Sequence, residues 1–131
     1  MEAQTTLFER QPEKSELTRR IEELRARRSL NALVSEANVR WLEDLLQEKN
    51  GWLRAEEIAV ASGGRVNERI ARELASVSEN ILSAPGSPGY AHIGSLSLDE
   101  ADRWLNAGEH QVKIMAERYA RLRRNAHRRI G

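Results

Sequence analysis

The run Arg54-Ala55-Glu56-Glu57-Ile58-Ala59-Val60-Ala61-Ser62-Gly63-Gly64-Arg65-Val66-Asn67-Glu68-Arg69-Ile70-Ala71-Arg72-Glu73-Leu74-Ala75-Ser76-Val77-Ser78 decides how the rest of the chain reads. Residues Arg54 to Ala61 make a brief helix, and Ser62-Gly63-Gly64 ends it. Beyond the glycines, Val66, Ile70, Leu74 and Val77 fall along one line at about 100° per residue, so a second short helix runs from Asn67. Two short helices around a turn of about 3–4 residues containing Gly have the length pattern of a helix-turn-helix.

Working toward the N-terminus, Trp52-Leu53 is too short for more than a strand-like bridge. Before it, Val39, Leu42, Leu45 and Leu46 with Trp41 share a broad apolar face that Asn50-Gly51 stops. Further upstream Ser15 is a good N-cap, and Leu17, Ile21 and Leu24 form a narrow stripe ending near Arg28, ahead of a polar break at Ser29-Leu30-Asn31. Residues 1–14 are polar with one apolar pair and Pro12, and are expected to be a flexible arm.

Toward the C-terminus, Ile81-Leu82-Ser83 and Tyr90-Ala91-His92-Ile93 flank Ala84-Pro85-Gly86-Ser87-Pro88-Gly89, which predicts a hairpin because that tip cannot propagate a helix. Ser97 with Glu100 makes a capping box, and the helix it opens should run almost to Ile130. Along it Leu98, Ala101, Leu105, Gly108, Val112, Met115, Tyr119, Leu122 and Ala126 alternate spacings of three and four, the rhythm of a coiled-coil seam. Such a helix spans on the order of 45 Å, more than its own domain needs, so part of it should project or pair.

The chain's 131 residues allow one compact domain with extensions, at roughly 100–200 residues per domain. Without cysteine there is no disulfide framework, thiolate metal site or cysteine nucleophile, and an intracellular, cytoplasmic setting is expected. No apolar stretch approaches the roughly 18 residues of a membrane span. The polar start at Met1-Glu2-Ala3-Gln4 does not read as a signal peptide, so the mature protein is expected to begin near Met1.

The 21 Lys and Arg nearly balance 20 Asp and Glu, but the balance hides segregation. Between Gly51 and Glu100 four bases face seven acids, whereas six arginines and no acid follow Glu117. A third zone, Arg19 to Arg28, mixes five arginines with Glu22 and Glu23. Arginine's planar fork suits phosphate, and it suits carboxylate equally well.

The order of these elements resembles a winged-helix domain over roughly Val34 to Ile93. Gly51 to Ala59 looks like the strand and second helix of that fold, Asn67 to Ser78 occupies the recognition-helix position, and Ile81 to Tyr90 looks like the wing. The chain is also similar to small phage- and prophage-encoded winged-helix proteins whose Ile-Leu-Ser-x-Pro-Gly-x-x-Gly-Tyr wing precedes a long arginine-rich helix. The resemblance implies a mainly α protein with a small β-hairpin: an arm over 1–14, an N-terminal amphipathic helix over 15–30, a winged helix-turn-helix over 31–96 and a long helix with a basic tail over 97–131. It also implies double-stranded DNA binding, as a regulator or replication accessory factor, although some winged helices bind only proteins.

On that reading Arg65, Asn67, Glu68, Arg69, Arg72 and Ser76 face a major groove, where Arg binds guanine in bidentate fashion. Arg118, Arg121, Arg124 and Arg128 of the tail would neutralise phosphates. The alternatives are that Glu68–Arg72 and Arg69–Glu73 are i,i+4 pairs on a solvated face, and that the tail is a solvated helix end or pairs with an acidic subunit. The wing supplies no charged clamp, because nothing basic lies between Asn80 and Leu98. For the stripe, Leu105, Val112, Met115, Tyr119 and Leu122 form either a homodimer seam or a surface packed on the core and on Leu17, Ile21 and Leu24.

Nothing points to catalysis, a cofactor, a metal site or a small-molecule substrate. His92, His110 and His127 lack metal-ligand spacing, Ser62-Gly63-Gly64-Arg65 lacks the Lys-Ser/Thr ending of a P-loop, and the adjacent acids Glu56-Glu57 and Glu22-Glu23 diverge on their helices.

Overall fold

A computed structural model describes residues 15–28 and 32–130. The arm expected over 1–14 and the break at Ser29-Leu30-Asn31 lie outside the described residues. The chain is mainly helical: α1 (Glu16–Arg28), α2 (Glu36–Lys49), α3 (Ala55–Ala61) and α4 (Glu68–Val77) precede a hairpin of β1 (Ile81–Leu82) and β2 (Ala91–His92). A 3-10 turn over Ile93–Ser95 then leads into α5 (Leu98–Ile130), of 33 residues.

Local chemistry sets the helix ends. Each first turn leaves backbone N–H groups without intrahelical partners, and a side-chain oxygen just before the helix accepts one of them. Ser15 Oγ accepts from Thr18 N (3.1 Å), Ser35 Oγ from Asn38 N (3.2 Å), Asn67 Oδ1 from Ile70 N (2.9 Å) and Ser97 Oγ from Glu100 N (3.1 Å). Asn50 closes α2 in the left-handed region at φ 54°, and Gly63 and Gly64 turn the chain after α3 at φ 69° and 85°.

The core collects Val39, Leu42 and Leu46 of α2, Ile58 of α3 and Ile70, Ala71, Leu74 and Val77 of α4, together with Val34, Leu53 and Val66 from the connections. The hairpin is antiparallel, pairing Ile81 with His92 and Leu82 with Ala91. Leu53 joins it through an antiparallel bridge to Tyr90, with Leu53 N donating to Tyr90 O (2.9 Å) and Tyr90 N to Leu53 O (2.8 Å). Gly89 permits this closure: a Cβ there would stand 2.3 Å from the Leu53 carbonyl oxygen.

Three packing outcomes decide between alternatives that the sequence leaves open. First, α1 spends its stripe on the core and not on the long helix. Ile21 is buried, with Leu17 and Leu24 packed beside it, while Thr18 Oγ1 donates to Glu36 (2.8 Å) and Arg20 to Glu79 (2.7 Å). Second, Glu73 is 4% exposed. It lies three residues after Ile70 and four before Val77, hence on the inward face, which is not the surface position that the alternative pair with Arg69 requires. Third, α5 docks by its first turns alone. Ala101 is buried, and the Trp104 ring meets Trp52 edge to face with centroids 5.9 Å apart. From Gln111 to Arg129 every residue is exposed.

Candidate nucleic-acid interface

Helix α4 turns Ile70, Ala71, Glu73, Leu74 and Val77 inward, which leaves Glu68, Arg69, Arg72 and Ser76 exposed on its other side. Neither Glu68–Arg72 nor Arg69–Glu73 closes to ion-pair distance, and Glu68, Arg69 and Arg72 are exposed. Ser76 Oγ donates back to the Glu73 carbonyl (2.8 Å), which leaves its oxygen able to accept.

Arg72 points toward the hairpin. Its positive charge acts on the Tyr90 phenol, and the Glu68 carboxylate acts on the same group. Burial raises the Tyr90 pKa above the ordinary 10.0, against the lowering pull of the Arg72 guanidinium.

Arg65 and Asn67 are placed differently from the sequence reading. Arg65 lies in the turn, outside α4; its guanidinium donates to Asn38 Oδ1 and covers the Trp41 ring at 5.3 Å from the centroid. These contacts fasten the turn to α2, while Arg65 remains exposed. Asn67 is the N-cap, so its Oδ1 accepts from Ile70 N, and its amide nitrogen donates to nothing among the described residues.

The fold adds residues that sequence reasoning did not assign. Packing of α1 along α4 brings Arg20 and Arg27 to the cleft that Arg72 and Ser76 also line, with Glu23 and Glu73 at its walls. Arg20 is tied to Glu16 and Glu79. The mixed run from Arg19 to Arg28 carried the signal, but its location depended on which helix α1 would choose.

On α5, Arg118, Arg121, Arg124 and Arg128 are exposed, as are Arg123 and Arg129. None reaches a carboxylate of the described residues within ion-pair distance, so the positive charge of this segment is locally uncompensated. By helix rise the first of them lies about 20 Å beyond Trp104. The hairpin turn does not project in the way a free phosphate clamp would: Gly86 lies against the Trp104 ring, and the turn is closed by Ser87, which accepts from Ala84 N (3.1 Å).

No family model, curated protein or solved structure matches the chain. The surface chemistry must therefore carry the functional reading. Among the described residues no three His, Asp or Glu side chains converge as metal ligands would, and His92 Nδ1 accepts from Gly94 N (2.9 Å). No helix among them is long and apolar enough to cross a membrane.

Proposed function

We propose that this protein binds double-stranded DNA as a winged helix-turn-helix module, in the manner of a phage- or prophage-type transcriptional regulator or replication accessory factor. The observation that carries the reading is the α4 face: Arg69 and Arg72 with Glu68 and Ser76 stand exposed on a helix that starts four residues after Gly64 and is followed by the hairpin. Arg69 and Arg72 would read bases in the major groove, and the Ser76 hydroxyl oxygen would accept. The Leu53–Tyr90 bridge supports the winged reading because it adds a third short strand segment to the hairpin. The tail arginines add sequence-independent phosphate affinity.

The test is fluorescence anisotropy at low salt with labelled random and phage-derived duplexes. Binding at micromolar protein or tighter is expected. Arg69→Ala with Arg72→Ala should cost about 1–3 kcal/mol per lost base contact and relax sequence preference. Replacing Arg118, Arg121, Arg124 and Arg128 by Ala should weaken binding to all duplexes alike and flatten its salt dependence. Absence of binding at micromolar protein overturns the proposal.

One observation favours a second reading, a protein-interaction adaptor on the same fold. The hairpin carries no Lys or Arg and its turn rests on Trp104, so it offers a partner an apolar surface and no charge. In that case duplex binding is absent, and the α4 substitutions do not alter what binding remains.

A further inference from the structure

The free half of α5 presents an apolar stripe that the monomer leaves uncovered. Val112 is 68% exposed, Met115 45%, Tyr119 57% and Leu122 46%. A run of large apolar side chains in water marks an interaction surface. We propose that this stripe pairs with the same stripe of a second copy of the chain, and that the two helices run antiparallel in one defined register. The proposal does not depend on DNA binding.

Charge sets the direction. From Leu98 to His110 the helix carries four acids and one base, and from Gln111 to Arg129 it carries seven bases and one acid. A parallel pair would lay one arginine-rich half beside the other, seven bases against seven with only Glu117 of each copy to offset them, which is repulsive. An antiparallel pair brings the basic end of each helix toward the acidic half of its partner.

The stripe sets the register. In an antiparallel coiled coil, the two seam positions of the heptad face each other. One alignment places Gly108 against Ala126, Val112 against Leu122 and Met115 against Tyr119, each pair occurring twice. It puts large side chains at the centre, small ones at both ends, and Glu109 of each copy beside Arg123 of the other. Sliding one heptad toward the N-terminus would require Ala101, which is already buried against the body of the protein. Sliding one heptad the other way sets Arg129 against Val112.

Gly108 supplies a separate observation. A glycine inside a helix costs about 1 kcal/mol relative to alanine. Within the monomer nothing requires it, because a Cβ built there meets no atom within 4 Å. Gly108 instead lies in an apolar groove with Leu82, Trp104, Leu105 and Val112, continuous with the stripe. In the proposed register Ala126 of the second copy enters that groove, where a missing Cβ lets two backbones approach.

The experiment uses the full chain, which has no cysteine of its own. Val112→Cys and Leu122→Cys are purified separately, then oxidised alone and as a mixture. The expected result is a covalent dimer in the mixture and none from Val112→Cys alone, because a disulfide needs Cβ atoms about 4 Å apart. Self-linking of Val112→Cys means a parallel pair and overturns the proposal. So does sedimentation of the unmodified chain as a monomer at about 100 µM, a concentration at which even a pair of about 10 µM Kd is mostly associated.

Gly108→Leu should weaken association at least tenfold while circular dichroism shows the helix intact. Unchanged association in this variant removes Gly108 from the interface and overturns the register. If the variant fails to fold, the cysteine result decides alone. Loss of DNA binding with the cysteine pattern intact would instead overturn the function proposed above and leave this pairing standing.

Discussion

Gly89 and Tyr90 tie the hairpin to the helical body. Gly89 stands where a Cβ would enter the Leu53 carbonyl, at φ 154°, so neither the space nor the backbone tolerates a side chain. Gly89→Ala is expected to destabilise the protein by about 2–4 kcal/mol, the upper range of single substitutions, as read from urea unfolding. Tyr90 makes a pH prediction. Its raised pKa means that the folded protein holds the phenol proton more tightly than the unfolded chain does. The associated stability is therefore complete below the unfolded value of 10.0 and is lost as pH rises through the folded value. Urea midpoints of the wild type should fall between about pH 9 and about pH 11 more steeply than those of Tyr90→Phe. A parallel fall in both proteins would show that the phenol contributes nothing.

At the scale of elements, α5 consists of two functional lengths in one helix. Ala101 and Trp104 belong to the body, through burial and the edge contact with Trp52. The segment beyond His110 touches nothing in the monomer that buries it. A chain ended after His110 should keep the cooperative unfolding of the full protein, with a midpoint within about 4 °C. It should also lose self-association and most of the salt dependence of duplex binding. Ending the chain after Ile93 would remove Trp104 as well and confound stability with assembly. The boundary expected between the helix-turn-helix domain and the long helix at residue 97 therefore divides the sequence but does not divide the packing.

At the scale of the whole molecule, near-neutral total charge conceals an arginine-bearing α4, a mixed α1 beside it and a cationic projecting helix. Much of this was legible beforehand. The limits of α2 to α5 followed from periodicity and caps, and the hairpin from its Pro/Gly tip, because these signals act within a few residues of one another. The candidate interface was legible in part. Glu68, Arg69, Arg72 and Ser76 are exposed as their spacing predicts, and so are the tail arginines. Arg65 is exposed as its spacing predicts, but its contacts with Asn38 and Trp41 on α2 depend on the tertiary structure. The alternative pairing of Arg69 with Glu73 needs Glu73 at the surface, yet its spacing from Ile70 and Val77 puts it inside.

The amino-acid sequence by itself determined the helices, their ends, the turn chemistry and the segregation of charge, since each depends on backbone geometry and neighbours a few residues away. Only the tertiary structure decided that α1 packs on α2 and α4, that Arg20 and Arg27 join Arg72 at one cleft, and that the seam of α5 is left bare beyond its first turns. Apolar stripes specify that a face must be covered and not by what, because hydrophobic burial is non-directional and the choice among partners rests on shape at long range.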